Sequence, residues 1–208
     1  MCSLIRAQCV SLLSDIRDDY ILYIRPRVAV EAKHYAQGSP VQRVRCAALA
    51  EGPNGRKHKH QWRIPPAALE KFSALLIARV GDITAARTFA ELLGLIKSAR
   101  TKGVAELTVY DTAVRIGKGQ GLEPQAIYLH AGTREGARLL GWNVNRPSIP
   151  IEEIPPDLAG LTPAEIEDLL CSNARYFGPN ASPYRHPTTC APASKTCSTA
   201  IPKSKRSC

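Results

Sequence analysis

The stretch from Ala99 to Trp142 constrains this chain most. An apolar run at helical spacing from Phe89 to Ile96 feeds a short turn at Lys102-Gly103-Val104-Ala105. A second helix is expected to follow, with Thr108 as its N-cap and Asp111 three residues on, the spacing of a capping box. Two helices joined by a tight glycine turn aim unpaired backbone N–H groups and the positive end of a helix at one point in space. That arrangement suits a phosphate. The N–H groups of Gly103, Val104 and Ala105 are the expected contacts, with charge from Lys102 and Arg100, and Arg115 on the following helix is a further expected phosphate contact. The competing reading is a plain helix–helix turn with glycine just past the helix end.

At these residues the chain resembles the helix-hairpin-helix DNA-binding proteins. Gly103-Val104-Ala105 is similar to their Gly-hydrophobic-Gly hairpin, and Leu129 to Gly141 resembles the segment that follows the hairpin in their base-excision glycosylase branch. The resemblance covers residues 99–142, roughly a fifth of the chain, within a hairpin element at 89–142. It places Arg134 on the family's arginine and His130 where the family keeps its catalytic aspartate. Leu107 stands where the bifunctional members carry a lysine, and Ala105 replaces the second glycine. The resemblance implies DNA binding and leaves excision by the family mechanism unsupported. The runs Leu107 to Ala113 and Tyr128 to Arg134 are also similar to those of a group of bacterial proteins, a likeness that implies no function.

Charge points the same way. A net charge of +10 and a pI near 9.5 favour an anionic partner, because each phosphate neutralised releases counterions. The densest basic segment, Arg56-Lys57-His58-Lys59-His60-Gln61-Trp62-Arg63, follows a turn cluster at Gly52-Pro53-Asn54-Gly55. Arg56, Lys57, Lys59 and Arg63 offer phosphate contacts, and Trp62 offers a face on which a base can stack. His58 and His60 form a His-x-His pair, but flanking lysines repel a cation and no neighbour in sequence completes a ligand set, so neither a metal nor a cofactor is expected.

Three residues are candidates for catalysis: His130 and Arg134, four apart, and Asp111 beside Tyr110. A neutral imidazole cannot supply a fixed negative charge, so His130 would act as general acid or base. The bland readings are a core or capping histidine at 130 and a helix cap at 111.

Elsewhere the pattern is helical. Ile5, Cys9, Leu12, Leu13, Ile16 and Tyr20 recur on one face of a helix expected to stop before Pro26. Val28 to Ala32 reads equally as strand or helix. Helices follow at Val41 to Ala50, Ala67 to Arg79 and Ile83 to Ala99. The prolines after Gly141 argue against regular structure, until Thr162-Pro163-Ala164-Glu165 opens a last helix through Ile166, Leu169 and Leu170. Seven cysteines, an odd number without a Cys-x-x-Cys pair, argue against disulfides, and no apolar stretch is long enough to span a bilayer. With no recognisable secretory signal, the cytoplasm is the expected compartment.

The expected architecture is a mainly α-helical, compact multi-helix single domain over residues 3–171. A basic tail at 172–208, rich in Gly, Pro, Ser and Lys, is expected to be disordered. The expected function is nucleic-acid binding, DNA ahead of RNA. The alternatives are a nucleic-acid-processing enzyme using His130 and Arg134, and a protein-interaction scaffold. Oligomeric state is not legible in the sequence.

Overall fold

The computed structural model describes residues 12–187 and is mainly helical. Helix α1 covers 12–19 and passes through a wide π-turn, Tyr20–Ile24, into α2, Arg25–Tyr35. Then come α3 (Pro40–Leu49), α4 (Pro66–Ile77), α5 (Val80–Ala85), α6 (Phe89–Ser98), α7 (Glu106–Lys118), α8 (Ala131–Leu139) and α9 (Pro163–Asn173). A small antiparallel pair, β1 (Ala126–Tyr128) and β2 (Ser148–Pro150), places Ile127 opposite Ile149. Among the described residues no helix is long and apolar enough to cross a membrane. Cys46 and Cys171 are unbridged.

Capping sets several helix starts. Ser39 with Gln42, Thr88 with Glu91 and Thr162 with Glu165 each form a reciprocal capping box, and Pro40 and Pro163 stand where a missing N–H costs nothing. Proline at 26 does not stop the first helix. An α-helical Pro26 would collide with the carbonyl of Leu22, and the π-turn, in which the Arg25 N–H reaches Tyr20 O, opens the backbone there. The ambiguous segment after it is therefore helical.

The buried side chains form two clusters. One gathers Val44, Phe72, Leu76, Leu92, Ile96 and Ile116 from α3, α4, α6 and α7. The other gathers Ile16, Ile127, Ile149, Ile166, Leu169 and Leu170 from α1, the β-pair and α9. Each such side chain contributes about 1.5–3 kcal/mol through burial. The clusters meet at aromatic contacts around Tyr110, whose ring centroid lies 6.0 Å from Phe89, 5.7 Å from Tyr128 and 5.8 Å from His130. Helices α8 and α9 touch at backbone distance: a Cβ added to Gly136 would lie 2.4 Å from the Leu170 carbonyl oxygen.

Further boundaries differ from those expected. The helix expected over Ile83 to Ala99 divides into α5 and α6, because the Thr88 and Glu91 capping box starts a new helix at Phe89. Residues 148–150 pair as a strand despite the prolines, because Pro147 and Pro150 flank Ile149 at the ends of a two-stranded ribbon, where no further ladder is interrupted. The folded region also continues past 171. Phe177 is buried in the second cluster, the Tyr176 and Tyr184 rings meet edge to face at 5.0 Å, and the Tyr184 hydroxyl donates to Asp19 Oδ2 at 2.7 Å. Isolated aromatics docked on an existing core leave no periodicity to read. The expected start of the first helix at Ile5, and the expectations for Cys190, Cys197 and Cys208, fall outside the described residues.

Removing residues 174–208 is therefore expected to lower stability by about 3–5 kcal/mol, the range for losing one large buried aromatic. Removing only 188–208 should leave the melting midpoint nearly unchanged. Equal midpoints for the two truncations would show that Phe177 adds nothing.

Candidate nucleic-acid interface and the polar cluster behind it

The turn between α6 and α7 has Gly103 at φ +90°, a conformation that side chains with a Cβ rarely adopt. Helix α7 starts one turn earlier than expected. Ala105, in extended conformation, is its N-cap and provides no side-chain hydrogen bond. Thr108 is instead buried inside the helix, where its carbonyl accepts from the Thr112 hydroxyl at 2.7 Å. The reason is local: Glu106 and Leu107 propagate a helix well, and nothing before Thr108 breaks it. The Val104 N–H is used within the turn, by the Thr101 carbonyl at 3.1 Å, and its side chain is buried. The first-turn amides of α7 are what remains for an anion, beside the exposed Arg100 and Lys102.

Gly103 lies against the first turn of α4, with Ala68 Cβ 3.4 Å from where a Cβ on Gly103 would stand. Helix α4 continues directly from the basic loop. That loop begins as a small hairpin, with a bridge between Glu51 and Lys57 and the Gly52 N–H donating to Arg56 O at 2.9 Å. Trp62 is 68% exposed, and Arg56, Lys59 and Arg63 are exposed around it. Lys57 is not: half-buried, it donates through Nζ to the Ile64 carbonyl at 3.0 Å, which fixes the loop.

Beneath the loop is a polar cluster that adjacency in the sequence could not show. Gln61 is fully buried. Its amide donates to Asp111 Oδ2 at 2.6 Å, and its oxygen accepts from Arg115 Nη2 at 3.0 Å. Arg115 also lies 3.6 Å from Asp111 on the same helix and stacks over the Tyr35 ring at 5.5 Å. Arg115 is thus 7% exposed and braces the interior, where the sequence reading had it touching phosphate. Asp111 is likewise no cap. Burial pushes its carboxyl up, but His60 at 3.4 Å, the Arg115 charge and the Gln61 amide together hold it below the ordinary aspartate value. His58 is half-buried, and partial burial, then the Arg115 charge and His60, lower it to about 4, so it is neutral at pH 7.

The remaining candidates lie at the junction of the two clusters. His130 is the N-cap of α8 and is 3% exposed. Its Nε2 meets Glu167 Oε1 of α9, and the Thr133 hydroxyl, 2.8 Å from that nitrogen, donates to the same carboxylate at 2.8 Å. The network is satisfied when Nε2 carries the proton. Burial raises the Glu167 carboxyl above its ordinary value. Beside the network, Cys171 is pushed up to about 12, first by burial and then by Glu167, so it is a thiol and not a nucleophilic thiolate. Arg134 donates to the carbonyls of Val144, Arg146 and Leu129, bracing the loop before β2. A cavity of about 120 Å³, lined among others by Arg100, Glu106, Tyr110, Tyr128 and His130, lies between α6, α7 and β1. His130 and Arg134 therefore lie close in the chain but serve separate hydrogen-bond networks. Glu167 was missed because it sits on the buried face of α9, with only its helical spacing from Leu170 to mark it.

No family model matches the chain, and neither a curated protein nor a solved structure proved similar to it.

Proposed function

We propose that the protein binds nucleic acid through the basic loop and the Gly103 turn acting as one surface. The observation that carries this reading is the seat of Gly103 against Ala68. It brings the uncapped start of α7, with Arg100 and Lys102, alongside the element that continues from Arg56, Lys59, Trp62 and Arg63. Trp62 stands 68% exposed among basic residues, and a stacking platform beside phosphate contacts gives that exposure a use. Glu106 in the first turn of α7 opposes an anion there, so the cations and the loop must outweigh it. The helix-hairpin-helix resemblance supports DNA. Stacking on Trp62 favours a single-stranded segment, which duplex and single-stranded ligands of both sugars distinguish.

Fluorescence titrations across a salt series test the proposal. Changing Lys59 and Arg63 together to Ala is expected to make the slope of log affinity against log salt shallower by roughly 1.5–2. Trp62→Ala should cost about 1–3 kcal/mol of binding with little change in slope. Lys57 is left alone, since its loss would loosen the loop. An unaltered slope in the double variant would remove the loop from the interface.

A further inference from the structure

The His-x-His pair has no third ligand near it in the sequence, and the fold supplies one. Asp111 of α7 comes under the loop so that one ligand atom each from His58, His60 and Asp111 lie within 4.8 Å of one another. His60 Nδ1 is 3.4 Å from Asp111 Oδ2, yet it is buried and has no hydrogen-bond partner. Two ligands at ordinary zinc distances stand about 3.3 Å apart along the edge of a tetrahedron, so this separation already matches a shared ion.

We propose that His58, His60 and Asp111 bind a divalent transition-metal ion of the zinc class, leaving a fourth position open to water. Two imidazoles and a carboxylate are a borderline-soft set, which selects zinc or cobalt over magnesium or calcium. The flanking lysines do not block it: Lys57 Nζ is held by the Ile64 carbonyl, and Lys59 projects into solvent. Gln61, at 2.6 Å, and Arg115, at 3.6 Å, hold the same Asp111 Oδ2 that faces His60 and so fix the carboxylate, as the outer partners of metal ligands do. The ion ties the loop that carries Trp62 to α7. This inference goes beyond the nucleic-acid reading and does not depend on it.

The test uses the full chain, stripped with a chelator and then titrated with Co²⁺ and Zn²⁺. One Co²⁺ per chain should give the visible bands of a low-symmetry nitrogen–oxygen site without a thiolate charge-transfer band, and Zn²⁺ should displace it and raise the melting midpoint. His58→Ala and His60→Ala should each weaken Co²⁺ binding by roughly a hundredfold or more, beyond the usual cost of an outer-shell change. Their metal-free midpoints should stay within about 2 °C of wild type, since both side chains are only half-buried and neither packs in an apolar cluster. If alanine loosens the loop, the glutamine variants take its place. Absence of a Co²⁺ spectrum, or no rise in midpoint with Zn²⁺, overturns the proposal. So does a thiolate band that disappears in Cys171→Ser, which would move the ion to the His130, Glu167 and Cys171 group.

Discussion

Glu167→Ala is expected to destabilise the fold by about 3–5 kcal/mol, on the order of 10 °C in melting midpoint for a chain of this size. The carboxylate is the common acceptor for His130 and the Thr133 hydroxyl, and all three lie in the interior. Removing it strands two donors where water cannot reach and opens a void between α8 and α9. Glu167→Gln keeps the volume and one acceptor, so it should cost about 1–3 kcal/mol. The two also separate in pH. The folded-state value of Glu167 is raised by burial, so its contribution is complete below the ordinary glutamate value of 4.5 and is lost as pH rises through the raised value. The margin of wild type over Glu167→Gln should therefore shrink from pH 4 towards pH 8. A margin that instead grows with pH would mean that the pair is held as an ion pair that burial does not penalise.

The helical class was legible because amphipathic spacing and caps act locally. The contrast between Thr162 and Thr108 shows the limit of that reading. Both stand three residues before an acid, but Thr162 follows Gly160 and Leu161 and precedes Pro163, whereas Thr108 follows two helix formers. The same spacing is a cap in the first case and one helical turn in the second. Pro26 misled in the opposite sense, because a stop signal in the chain was absorbed by a backbone widening that no side chain announces.

The candidate surface was half legible. Exposure of Lys59 and Arg63 follows from a basic, turn-rich segment, and the left-handed conformation of Gly103 follows from its place between two helices, whereas Trp62 reads equally as a stacking face or a core side chain and only the fold shows it exposed. What lies beneath was not legible, because Gln61, Asp111 and Arg115 are brought together by the folding of the loop onto α7. A charged residue on a helix reads as surface unless its buried partner is known, and here the partner comes from a distant loop.

Arg115 therefore gives the sharpest separation between the two readings. Arg115→Ala is expected to cost about 3–5 kcal/mol, since it leaves the Asp111 carboxylate buried without its neighbouring cation and deprives the Gln61 oxygen of a donor. Asp111→Ala should cost a similar amount by stranding the guanidinium, which already has one unpartnered nitrogen. With a chelator present, the double variant should lose about 1–3 kcal/mol less than the sum of the two single losses, because removing both charges leaves neither one uncompensated. Additive losses would show that the contact carries no coupling. Nucleic-acid binding by Arg115→Ala should weaken as the loop loosens, but the salt slope should stay as in wild type, because the guanidinium faces the interior. A slope shallower by about 1 would return Arg115 to the phosphate contacts that the sequence had suggested for it.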